Sequence, residues 1–239
     1  MSRAEFAAEL TAVSPLTPTV RLFSFATGAE PLAFEPGQFV MIHFEIDGET
    51  WQRSYSIASI APDGEPLSIA VAPVDGGRAT RFLWGLKPGD QVRMSGPYGR
   101  FCLRADEQPP HLALVGTGTG IAPYRAMIPL LRDRAAAGLR TSVILGVRTA
   151  DELLYADAFR ALAAEFPAFS FIGCLSRADA SLPDERRCYV TATLESLGLD
   201  AEAGDVAYLC GNPQMVDDAV ELLKTQGFSP RNIRREKYI

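Results

Sequence analysis

The chain has 239 residues, 47% of them hydrophobic, enough for one large core or two smaller ones, and the smaller pair is the more natural division. Its 29 acidic against 23 basic side chains leave a formal charge of −6, which favours solubility and gives no basis for a global nucleic-acid-binding surface. No apolar run approaches the roughly 20 residues that cross a bilayer, and the opening Met1-Ser2-Arg3-Ala4-Glu5-Phe6 does not lead into a secretory segment, so a soluble, cytoplasmic protein with no membrane or nucleic-acid partner is expected.

Residues 1–105 read as strands and turns. Val20 to Phe25, Gln38 to Ile46, Ser54 to Ile60, Leu67 to Val74 and Gln91 to Ser95 are β-prone, and Glu35-Pro36-Gly37, Asp47-Gly48, Asp63-Gly64 and Lys87-Pro88-Gly89-Asp90 punctuate them. An antiparallel β-barrel fits this pattern better than a helical bundle. One short helix is predicted at Ala79 to Leu86, with Phe82, Leu83 and Leu86 facing inward and Gly85 weakening its continuation.

After the linker Asp106-Glu107-Gln108-Pro109-Pro110 the period changes, and residues 106–239 read as a second domain. His111 to Val115, Thr141 to Val147, Ala168 to Gly173 and Val206 to Cys210 are short apolar runs. They alternate with predicted helices at Tyr124 to Ala137, Tyr155 to Glu165, Thr193 to Leu197 and Pro213 to Thr225, and Phe228 to Arg235 can supply a last strand. Such alternation implies an α/β domain with a mostly parallel sheet. Pro129 falls inside the first of these helices, where it removes a hydrogen bond and clashes at about 3 kcal/mol, so a kink or break is expected there. The four cysteines, Cys102, Cys174, Cys188 and Cys210, are too widely spaced for a disulfide scaffold or an iron–sulfur cluster, and three are expected to be buried thiols. No metal site is expected.

Three segments have the chemistry of a ligand site. In Val115-Gly116-Thr117-Gly118-Thr119-Gly120-Ile121-Ala122-Pro123, the glycines let successive N–H groups approach a pyrophosphate as a helix begins. A tight strand-to-helix turn accounts for the same residues, since the spacing is not the six-position dinucleotide fingerprint and no phosphate-binding lysine follows. In Gly76-Gly77-Arg78-Ala79-Thr80, Thr80 is expected to cap a helix whose N–H groups face a phosphate, with a plain glycine turn as the alternative. In Arg53-Ser54-Tyr55-Ser56, Arg53 can neutralise a phosphate, Tyr55 can pack on a planar ring and Ser56 can hydrogen-bond a ring edge, or the run is an ordinary strand.

Taken together and in order, Arg53-Ser54-Tyr55-Ser56, Gly96-Pro97-Tyr98-Gly99, Gly116 to Pro123 and Cys210-Gly211-Asn212-Pro213-Gln214-Met215 resemble the motifs of the ferredoxin–NADP reductase superfamily, in particular its compact members without a fused iron–sulfur domain. The resemblance covers nearly the whole chain. It implies an N-terminal barrel that holds FAD, or alternatively FMN, and a C-terminal domain that binds NAD(P)H. By this resemblance Arg53 meets the flavin pyrophosphate, Tyr55 packs near the flavin, Ser56 lies near its reactive nitrogen, and Gly77 and Thr80 form the second phosphate element. Gly116, Thr117, Gly118, Thr119, Gly120, Gly211 and Met215 belong to the nucleotide site, and Cys210 orients the nicotinamide without acting as a nucleophile. Glu236 and Tyr238 resemble a carboxylate and an aromatic group that approach the flavin, although Ile239 follows the tyrosine here.

Arg148 and Tyr155 can reach the nucleotide mouth or be ordinary loop residues. NADPH is expected over NADH because Ser176, Arg177 and Arg187 can bind its extra phosphate while Tyr189 packs on adenine, with the nearest acidic residue, Asp179, two positions beyond Arg177. The resemblance implies an enzyme passing single electrons to a separate ferredoxin or flavodoxin, with free flavin or an oxygenase component as other acceptors, and a monomer is expected. A flavin- or nucleotide-binding regulatory module is the non-enzymatic alternative. Arg231, Arg234 and Arg235 form a basic stretch that could steer an acidic carrier.

Overall fold

The computed structural model describes residues 5–28, 32–60, 66–104 and 106–238. The expected turn at Asp63-Gly64, the opening four residues, Ala105 and Ile239 lie outside them. Contacts divide the chain into two compact units, Met1–Leu103 with Ala122–Met127, and Arg104–Ile121 with Ile128–Ile239.

The first unit is built on six antiparallel strands, β1 (Glu5–Pro15), β2 (Arg21–Ala26), β3 (Phe39–Ile46), β4 (Glu49–Ser56), β5 (Leu67–Val71) and β6 (Gln91–Tyr98), in the order β4-β3-β6-β1-β2-β5. The two ends of that order meet: Ile57 bridges to Ile69, and the Ala58 N–H donates to the Ser68 carbonyl at 2.8 Å, which closes the sheet into a barrel. Period-two alternation fills it, with Val40, Ile42 and Phe44 of β3 turned inward beside Ala8 and Leu10 of β1. Strand β1 is absent from the sequence reading because its inward set is only half large apolar residues. Strand β4 starts five residues earlier than expected: Asp47 and Gly48, at φ 56° and 78°, make a two-residue hairpin in which Ile46 pairs at once with Glu49. The polar composition of β4 hid it. Helix α1 spans Arg78–Gly85.

Residues 122–127 are absent from the sequence reading of the barrel. Helix α2 (Ala122–Ala126) buries Tyr124 with its ring 6.0 Å from that of Phe101, and Arg125 donates to the Ala58 carbonyl. Helix α3 (Ile128–Ala136) follows after a break at Met127, as the proline predicted. Pro129 becomes the second residue of α3, in the first turn, where its missing N–H costs nothing.

The second unit carries a parallel sheet of β7 (His111–Thr117), β8 (Arg140–Val147), β9 (Phe169–Leu175), β10 (Glu185–Arg186), β11 (Val206–Gly211) and β12 (Ile233–Lys237), ordered β10-β9-β8-β7-β11-β12. Both faces are covered, so its strands read as continuous apolar runs. Ala113, Val115, Ile144, Ala207 and Leu209 pack with α5 (Val190–Ser196) and α6 (Pro213–Thr225), while the Phe171 ring stacks 5.7 Å from Phe159 of α4 (Ala156–Glu165). The chain runs outward from β7 through β8, β9 and β10, then returns to β11 on the other side of β7. Beyond the carboxyl ends of β7 and β11 lies the switch point at which open α/β sheets bind ligands. No helix among the described residues is long and apolar enough to cross a membrane.

Candidate functional site

In the barrel unit, Arg53 and Tyr55 alternate along one face of β4 and Ser56 closes the strand. Ser56 is buried, Arg53 is exposed, and burial pushes the half-buried Tyr55 phenol up to about 12 against the opposing pull of the Arg53 charge. The expected cap by Thr80 is corrected: Gly77 is the N-cap residue of α1, no side chain caps the helix, and Thr80 is its third residue. The Thr80 hydroxyl instead accepts the Val74 N–H at 2.9 Å and pins the preceding loop. A Cβ on Gly77 would stand 2.9 Å from the Val74 carbonyl oxygen, so the turn requires glycine. Among the described residues no side chain caps the N–H groups of the first turn of α1, an arrangement that suits an anion.

In the second unit, the glycine loop and the late cysteine motif come together at the switch point. Thr117 ends β7 and its hydroxyl accepts the Asn212 N–H at 2.9 Å. Asn212 caps α6 by accepting from the N–H groups of Gln214 and Met215, with Pro213 in the first turn. Met215 is thereby fixed, largely buried, in the opening of that helix. The three glycines have different reasons. A Cβ on Gly120 would meet the Cys210 carbonyl oxygen at 2.3 Å and one on Gly116 the Gly120 backbone at 3.1 Å, whereas Gly118, at φ +53°, faces open space. Two of them are packing requirements, and the third leaves Thr117-Gly118-Thr119 room to approach a ligand. Gly211 is equally constrained, at φ +124° with Thr117 Oγ1 2.5 Å from where its Cβ would be.

Cys210 and Glu236 are register partners on β11 and β12, and the Tyr238 phenol hydrogen-bonds the Cys210 sulfur. Tyr238 is tied down by its own N–H, which donates to the Gly211 carbonyl at 2.9 Å. Cys210 is fully buried, and burial together with the Glu236 charge pushes its thiol up, which favours the neutral thiol over the thiolate. Burial also raises Glu236 to about 7, and its Oε2 is buried with no hydrogen-bond partner among the described residues. Of the four cysteines only Cys174 and Cys210 are fully buried; Cys102 and Cys188 are partly exposed, one fewer buried thiol than expected.

Arg148, Ser176 and Arg177 lie side by side where β8 and β9 end. The Ser176 N–H donates to the Val147 carbonyl and the Arg177 N–H to the Arg148 carbonyl, at 3.0 and 2.9 Å. Arg187 is paired with Asp179 at 2.7 Å, both well exposed, and Tyr189 is 74% exposed. Tyr155 holds the left-handed N-cap position of α4 at φ 56°. The basic stretch near the end is not one patch: Arg234, 15% exposed, grips both carboxylate oxygens of Glu107 at 3.0 Å, and strand alternation turns Arg235 to the opposite face of β12.

A barrel followed by a doubly covered parallel sheet whose switch point holds a glycine loop is the arrangement expected of a two-domain flavin and nicotinamide oxidoreductase. The chain matches the oxidoreductase FAD-binding domain over residues 7–102 and the oxidoreductase NAD-binding domain over residues 114–221. It is 37% identical to ferredoxin–NADP reductase B of Sorangium cellulosum over 242 residues, covering 98% of this chain and 97% of that protein. It is 34% identical to the toluate 1,2-dioxygenase electron transfer component of Pseudomonas putida, covering 92% of this chain and 63% of that protein. Among solved structures, the cytochrome P450 reductase GcoB of Amycolatopsis superposes at a TM-score of 0.85 with 32% identity, over 98% of this chain and 69% of that one. A ferredoxin NADP+ reductase from Neisseria gonorrhoeae with bound FAD and NADP has the same TM-score at 22% identity, over 98% of both chains, a likeness of fold. The chain belongs to the ferredoxin–NADP reductase superfamily and is an NAD(P)H-dependent flavoprotein reductase with FAD as its flavin.

The residues present fit those groups. The uncapped turn of α1 and the exposed Arg53 suit a flavin phosphate, and the open loop at Gly118 suits a nucleotide phosphate. Sequence reasoning passed over Trp51 and Arg78. Their signal was the spacing, since Trp51 stands two residues before Arg53 on the same strand face.

Proposed function

We propose that this chain is a ferredoxin/flavodoxin–NADP oxidoreductase, with residues 1–105 as its flavin-binding domain and residues 106–239 as its NAD(P)H-binding domain. The observation that carries the reading is the cluster at the carboxyl ends of β7 and β11: an open glycine loop beside a neutral thiol and a carboxyl group poised near neutrality. Similarity along 97% of a ferredoxin–NADP reductase supports it. FAD, when bound, accepts a hydride as a two-electron unit and releases electrons singly.

The protein's part is to bind, orient and hold protons. Arg53, Gly77 and the first turn of α1 hold the flavin phosphates, Tyr55 packs on the ring, and the Ser56 hydroxyl meets its polar edge. Gly116 to Gly120 and Gly211 cradle the nucleotide phosphates, and Cys210, kept as a thiol, is a soft packing surface for the nicotinamide. Glu236 can hold a proton near neutral pH because burial disfavours its charge. Ser176, Arg177 and Arg187 receive the additional phosphate of NADPH and Tyr189 its adenine, and Arg187 exchanges its Asp179 partner for that phosphate at small cost, because exposed ion pairs contribute only about 0–1 kcal/mol.

Turnover with purified ferredoxin and flavodoxin, set against turnover with free riboflavin, tests this reading. Faster reduction of a protein carrier supports it; reduction of free flavin alone replaces it with a flavin reductase. Similarity to oxygenase electron transfer components favours one second reading, a reductase component of an oxygenase, which the same assay detects as activity only with that oxygenase's carrier.

A further inference from the structure

Trp51 has no part in the roles assigned above, yet two arginines lie against its ring. Trp51, Arg53 and Tyr55 alternate on β4 and share one strand face. The guanidinium carbon of Arg78, the first residue of α1, lies 4.1 Å from the Trp51 ring centroid, and that of Arg53 lies 5.9 Å from the same centroid. Neither arginine makes an ion pair among the described residues, Arg53 donating only to the neighbouring Gln52 carbonyl at 3.0 Å. The Trp51 Nε1–H is buried without a hydrogen-bond partner among the described residues. Two like charges on adjacent elements repel, and the electron-rich ring is what holds both. Beside them is the uncapped helix end, which adds a third positive field.

We propose that Trp51 is a positioning residue that holds Arg53 and Arg78 as a paired cationic clamp for a diphosphate, and so makes this site select FAD over FMN. A diphosphate presents one phosphoryl group to each guanidinium, whereas the single phosphate of FMN engages one and leaves the other unmatched. The proposal rests on the barrel's being the flavin site. It adds Arg78 as a second phosphate-binding side chain, with Trp51 acting through both arginines.

The test is equilibrium titration of the full chain, stripped of flavin, with FAD and separately with FMN. The unsubstituted protein binds FAD more tightly. Trp51→Leu raises the FAD Kd by about tenfold while changing the FMN Kd by less than about threefold, and Trp51→Phe, which keeps an aromatic face, recovers most of the loss. Arg78→Gln, at an exposed position, shows the same FAD-selective loss of affinity, which keeps the test open even if Trp51→Leu folds poorly. Combining Trp51→Leu with Arg78→Gln costs less than the product of the single effects, because one residue acts through the other. Equal weakening of both flavins by Trp51→Leu and Arg78→Gln, or independent multiplicative losses, overturns the clamp. Failure of the unsubstituted protein to bind either flavin overturns the flavin-site reading beneath it.

Discussion

At the scale of single residues, Glu236 is the side chain whose chemistry burial changes most usefully. Its carboxyl is raised from 4.5 to about 7, so the folded state binds the proton more tightly than the unfolded chain. Ionising it therefore costs stability as pH rises from the unfolded value through the folded one, by on the order of 3 kcal/mol above neutrality. Glu236→Gln is expected to raise Tm at pH 8 and to leave it nearly unchanged at pH 4; a gain of equal size at both values would show that ionisation of Glu236 is not the cause. Arg177→Ala is expected to lower kcat/KM for NADPH several-fold more than for NADH, since it removes a cation for a phosphate that NADH lacks. Equal losses with both nucleotides would remove Arg177 from phosphate recognition. Much of the candidate site was legible because its residues sit in contiguous motifs that also fix backbone geometry, such as Cys210-Gly211-Asn212-Pro213. Legibility failed where partners come from distant segments: nothing local tells that Asp179 occupies Arg187, that Glu107 holds Arg234, or that Thr80 serves Val74 in place of the helix end.

At the scale of elements, the loop after β7 separates two kinds of glycine. Gly120→Ala places a methyl group 2.3 Å from a backbone oxygen, so the strand-to-helix turn must move, at about 1–3 kcal/mol, with a clear fall in Tm. Gly118→Ala meets no atom and adds only the left-handed backbone strain of about 1–2 kcal/mol, and its larger effect is expected on KM for both nucleotides. Thermal melts and nucleotide kinetics on the two variants check the distinction; indistinguishable behaviour would mean that the loop does not divide packing from binding in this way. The parallel sheet was easy to read because strands buried on both faces are continuous apolar runs. Helix α6 has the expected bounds, Pro213–Thr225, and Asn212 and Pro213 account for its start. The start of strand β4 was hidden because Glu49, Thr50, Gln52 and Arg53 give it little apolar signal, and β1 because an alanine-rich strand has little hydrophobic signal.

At the scale of the whole molecule, the chain matches an FAD-binding domain model over residues 7–102 and an NAD-binding domain model over residues 114–221. In the barrel unit the first turn of α1 has no side-chain cap, and in the parallel-sheet unit a glycine loop is open at Gly118 while burial raises Glu236 to about 7. Their order along the chain was legible from the change of period near residue 106, whereas the assignment of residues 122–127 to the barrel unit was not, because that contact is set by Tyr124 and Arg125 meeting Phe101 and Ala58 from far along the sequence. Under the proposed function, NADPH reduces FAD bound to this chain and the electrons then leave to a one-electron protein carrier. Anaerobic mixing of the FAD-loaded protein with NADPH, followed by addition of oxidised ferredoxin or flavodoxin, measures it directly through the visible absorbance of the flavin. Bleaching by NADPH and recovery on adding a carrier is the predicted result; a flavin that stays oxidised with both NADPH and NADH would contradict the account.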